Sequence, residues 1–133
     1  MNRLMAVLIF LVSVNVYAND IQWSQGFTAD CDNDLARDDG TPMPVSEIYM
    51  VKYLVMNKGA DPIVDTPAFS VEMMGGCKPV PVDTKSVLTP GEYEIYGVTV
   101  DNSEPNRLSS IPSDPVSLRI TKNRPKPPKN LRY

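Results

Sequence analysis

Between Asn19 and Tyr133 the chain carries all 13 of its prolines and all seven of its glycines, and few intervals between them could hold a three-turn helix. Proline removes an amide and breaks a helix interior, and glycine adds an entropic cost there. Short extended segments fit such intervals. The candidates are 21–27 (IQWSQGF), 45–58 with its core EIYMVKYLVM, 69–74 (FSVEMM), 83–88 (DTKSVL), 93–100 (YEIYGVTV) and 115–120 (PVSLRI). They are rich in β-branched and aromatic residues and bounded by turn chemistry, which predicts an all-β antiparallel sandwich. Gly97 inside a strand marks a bulge or a close packing contact. Pro112 and Pro115 place the last strand at an edge, or interrupt it.

The first 18 residues have one positive charge at Arg3, an apolar run from Leu4 to Val14, and small residues ending at Ala18. That order is the layout of a secretory signal, with an uncleaved anchor as the alternative. The expected organisation is a signal over 1–18, one domain over 19–121 and a basic, proline-rich tail over 122–133. Export places the chain in the periplasm, at the cell surface or outside, with a virion as a further setting and no stable membrane span after cleavage. Cys31 and Cys77 are the only cysteines, and an oxidising compartment favours joining them. A reactive pair would need closer spacing or a basic neighbour, so the bond reads as a structural staple.

Charge is segregated. Residues 19–118 hold 16 acidic and six basic side chains, a net of −10, whereas 119–133 hold six basic and none acidic. An acidic body with a basic end is the most particular property of the chain.

Four segments, IQWS, DDGTPMPVSEIYMVKYLV, LTPGEYEIYGVTVDN and LSSIPSDPVSLRI, follow one another in an order that resembles the fibronectin type III family, across residues 21–120. The resemblance implies an immunoglobulin-like sandwich of six to seven strands with one disulfide. It makes Trp23 the tryptophan of strand B, Tyr49 and Tyr53 the tyrosines of strand C, and Leu88 a core plug, with Trp23, Tyr49, Leu88 and Tyr93 as the structural core. Tyr93 becomes a tyrosine-corner residue whose hydroxyl bonds backbone upstream. The sequence departs from the family in two places. An insertion, CDNDLARD, carries Cys31, and the disulfide is expected to pin it to the GGCKP segment. Too few residues precede strand B for a strand A, while PKPPKNLRY at the end resembles the opening of one. A missing strand leaves an open ladder edge, which strand addition can cover.

Chemistry has little to work with. The chain has no histidine, which removes the commonest general base and metal ligand. Glu92 and Glu94 share a strand face but read as a solvated surface, and Lys85-Ser86 has no supporting motif. The chain is therefore expected not to be an enzyme, and no cofactor is implied. Asp30, Asp32, Asp34, Asp38 and Asp39 have a spacing that calcium uses. However, Leu35 and Thr41 stand where an EF-hand needs Gly and Glu, and a solvated acidic loop is the plainer reading. The tail, with Lys122, Arg124, Lys126, Lys129, Leu131, Arg132 and Tyr133, is open to three readings. It is a disordered extension, a binder of nucleic acid or another anionic surface, or an arm that adds to a neighbouring copy. Nucleic acid is disfavoured because only Tyr133 offers a stacking surface there. The resulting expectation is a non-catalytic structural or adhesion module that assembles into a filament or virion, its partners being its own copies or another surface protein. The alternative is a ligand-binding module that holds calcium or carbohydrate through loop 30–39.

Overall fold

Two long strands organise the molecule. β5 (Ile48–Asn57) and β8 (Gly91–Asp101) pair antiparallel over most of their length, with Tyr53 opposite Gly97. The computed structural model describes residues 20–133, and the apolar start read as an export signal, 1–18, lies outside the described residues. β6 (Phe69–Met74) joins the free side of β5, and β9 (Val116–Thr121) joins the free side of β8. Beyond β9 lies β1 (Asp20–Gln22), which runs parallel to it, so the sheet order is β1-β9-β8-β5-β6. A two-stranded ladder of β2 (Phe27–Ala29) and β7 (Val80–Val82) forms the opposing layer. β3 (Leu35–Ala36) and β4 (Pro42–Met43) make a small hairpin within the insertion. The fold is a β sandwich stapled by Cys31–Cys77, whose Cα atoms stand 5.3 Å apart.

Alternation along the strands builds the core between the layers. Val51 of β5 and Val71 and Met73 of β6 point inward against Ala29 and Val82 of the ladder. At the other end Leu88, Tyr93, Leu118 and Ile120 form a second cluster with Val55. No described helix is long and apolar enough to cross a membrane.

Three expectations about local structure are corrected. Segment 21–27 is two strands, because the chain turns at Trp23–Gln25, where the Gln25 amide donates to the Gln22 carbonyl, and Gly26 adopts φ +69°. Trp23 therefore sits in a turn and not in strand B. The first strand is Asp20–Gln22, paired to the last one, so the chain does have a strand ahead of β2. Segment 83–88 is a single helical turn, α1 (Thr84–Val87), fastened by the buried Thr84 hydroxyl donating to the Trp23 carbonyl.

Gly97 stays in register, and the ladder irregularity falls between Ile48 and Met50 instead. The prolines near the last strand act as anticipated. Ahead of β9, the hydroxyls of Ser110 and Ser113 accept the amides of Thr99 and Gly97 at 3.0 and 2.8 Å. Each serine's own amide donates back to the same residue's carbonyl. Side-chain oxygens thus continue the ladder where Pro112 and Pro115 interrupt it.

Candidate functional site

The insertion between β2 and β5 is held at both ends. The disulfide anchors its start, where Asn33 clasps Cys77: its side-chain oxygen accepts the Cys77 amide at 2.6 Å and its nitrogen donates to the Cys77 carbonyl at 3.0 Å. Further on, Arg37 donates through Nη1 to Asp101 at 3.0 Å and through Nη2 to Glu47 at 3.1 Å. Asp101 is 2 % exposed and also accepts the amides of Leu108 and Ser103. The Leu108 amide first, then the Arg37 guanidinium, hold its carboxyl well below the usual carboxylate range. The same two acids push Arg37 upward. This cluster was not legible as a site beforehand, and its one signal was Arg37, the single cation within the acidic run.

The five aspartates of the insertion are not gathered. Asp30 accepts the Cys31 amide, and Asp39 accepts the Thr41 amide and hydroxyl across the hairpin turn, which lowers the Asp39 carboxyl. Disulfide and hairpin splay the run, and among the described residues no three acidic or thiol side chains stand where they could hold a metal ion.

Tyr93 sits as a corner residue. It is buried, and its hydroxyl donates to the Thr89 carbonyl at 2.6 Å. Trp23, half-buried, donates from Nε1 to the Leu88 carbonyl at 2.8 Å. Leu88 is buried beneath both. Tyr49 departs from its expected core place: it is half-buried, with the Arg107 guanidinium 3.8 Å from its ring centre.

The tail makes no strand within its own chain. Its start is tied down, since Asn123 Oδ1 accepts the Ser24 amide and the Arg124 amide donates to Gln22 Oε1. From Lys122 to Tyr133 every residue is exposed, and Leu131 is 79 % exposed.

A cleft of about 280 Å³ opens between β2 and the first half of β9, with Phe27, Val71, Ile95 and Leu118 among its walls and Asp30 at its rim. Among the described residues, both bordering strands present backbone groups with no ladder partner. Pro81 has no amide, so its pairing with Thr28 must be a non-hydrogen-bonded one, and the Thr28 N–H and C=O point away from β7. On β8, Gly97, Thr99 and Asp101 direct their backbone groups towards the 108–113 segment. By the same alternation Leu118 bonds β8 and Ser117 faces outward, beyond the reach of β1, which covers only Arg119–Thr121. The open edge expected on strand B rested on a missing first strand, which β1 supplies, and neither Thr28 nor Ser117 was singled out from the sequence. No family model, curated protein or solved structure matches the chain.

Proposed function

We propose that the chain is an exported, non-catalytic module of fibronectin type III-like plan that assembles with copies of itself through its C-terminal tail. The observation that carries this reading is the charge division. A tail with five basic side chains and no acid from Lys122 onward stands exposed beside a body whose net charge over 19–118 is −10. Opposite charges on two ends of one molecule favour head-to-tail contact, and head-to-tail contact that does not close makes filaments. The disulfide suits an oxidising compartment. The corner at Tyr93, the five-stranded sheet and the opposing β2–β7 ladder support the family likeness. Asp101 and Glu47 are both engaged in ion pairs with Arg37.

Sedimentation velocity on the purified protein tests it. Species larger than a monomer should appear at about 0.01 M salt and dissociate towards about 1 M, as the Debye length shrinks from about 30 to about 3 Å. Removing 122–133 should leave monomer throughout. Assembly that persists in the shortened chain would reject the tail as the arm.

A further inference from the structure

Resting on that assembly reading, we infer that the cleft between β2 and β9 is the acceptor site, and that the Leu131–Tyr133 end of a second copy fills it as an added strand. Three features of the cleft specify an extended peptide as its occupant. Its walls are apolar, so they favour apolar side chains over water. Its two borders each carry outward backbone groups, at Thr28 and Ser117, which only another backbone can pair along its length. Its rim carries Asp30, on a body that is strongly acidic.

The tail matches each of these. In an extended strand, side chains two apart share a face. Leu131 and Tyr133 therefore point together towards the cleft, while Asn130 and Arg132 face away. Both apolar residues are exposed in the isolated chain and lie in its most basic stretch, so they are available to a second copy and are flanked by charge complementary to the acceptor. The prolines at 125, 127 and 128 leave Lys129–Tyr133 as the longest tail segment with an unbroken run of amides. Those prolines also stiffen the preceding segment into a spacer. The spacer starts at residues pinned against the β1 turn through Asn123 and Arg124, which projects its tip outward to a neighbour.

The test is disulfide trapping between two full-length variants, Val116→Cys and Leu131→Cys, mixed at low salt and gently oxidised. Val116 lines the cleft and is 54 % exposed, so the substitution leaves the core untouched. A cross-linked heterodimer is expected. An Asp65→Cys variant, placed in the exposed β5–β6 loop, should give none with Leu131→Cys. In parallel, Leu131→Asp with Tyr133→Asp should weaken self-association at least tenfold although the basic residues remain.

If the wild type associates in a salt-sensitive way yet no Val116–Leu131 cross-link forms and the double Asp variant associates normally, the cleft is not the acceptor and the charge-driven assembly reading survives. A chain carrying both cysteines that closes within a monomer would show the tail entering its own cleft, overturning the second copy as donor. A wild type that stays monomeric at low salt overturns the assembly reading and this inference with it.

Discussion

Arg37 and Asp101 meet across 64 positions of sequence, guanidinium Nη1 to carboxylate Oδ2 at 3.0 Å, and so join the insertion to the end of β8. The Asp101 carboxyl is held well below its ordinary value by the Leu108 amide, Arg37 and Ser103. A carboxyl whose folded value lies below its unfolded one contributes stability that is complete above the unfolded value of about 3.9, and that stability is lost as pH falls towards the folded one. The melting temperature should therefore fall steeply from about pH 4 downward. Asp101→Asn should lower it near pH 7 and flatten that acid limb. Equal acid slopes in the two proteins would show that this carboxylate is not the group responsible.

Tyr93→Phe removes one hydroxyl and leaves the ring in place. The lost bond to the Thr89 carbonyl should cost about 1 kcal/mol. Urea unfolding should show a lower midpoint with an unchanged slope, because no buried surface is altered. An unchanged midpoint would mean that water replaces the bond at no cost.

The disulfide closes 46 positions of chain. On the chain-entropy account, replacing both cysteines by serine should remove about 4 kcal/mol, a large share of what a domain this size retains. The double variant should melt well below the oxidised protein, and chemical reduction should reproduce the shift. A loss under about 1 kcal/mol would indicate that the Asn33 clasp and the Arg37 bridges hold the insertion without the bond.

Gly26 is at φ +69°, and a Cβ built there would lie 2.6 Å from the Val82 carbonyl oxygen, a backbone atom of the paired strand. Gly26→Ala should cost more than the ~1–2 kcal/mol of left-handed backbone alone, since β2 and β7 must also separate. Gly40 has φ +87° with nothing near it, so Gly40→Ala should show the backbone cost by itself. Thermal melts of the two variants compare them directly. Equal losses would mean that the β2–β7 contact gives way freely.

Much of the frame was legible because local chemistry and global fold agree. Proline and glycine spacing excluded long helices, the β-branched run of β5 declared a strand, and Leu88 and Tyr93 announced the corner that the Thr89 carbonyl completes. Segment 83–88 misled because Val87 and Leu88 read as extended, whereas the Thr84 hydroxyl bonding to Trp23 favours one helical turn. Asp30, Asp32, Asp34, Asp38 and Asp39 suggested a cation. Among the described residues they form no group that could hold a metal ion, on a run that the disulfide and the hairpin bend at two points. Tyr49 was expected in the core from the family resemblance, but it is half-buried under Arg107, beside the irregularity between Ile48 and Met50.

By itself, the order of residues determined the class of fold, the single staple and the division of charge. These follow from backbone restriction, from the number of cysteines and from counting ionisable groups, none of which needs to know what lies nearby. Tertiary structure alone decided that Asp20–Gln22 would run beside β9, that Arg37 would find Asp101, and that a cleft would remain between Thr28 and Ser117. Each of these pairs residues at least 64 positions apart, and such pairings are chosen by how whole layers pack and not by any preference written in a short stretch of chain.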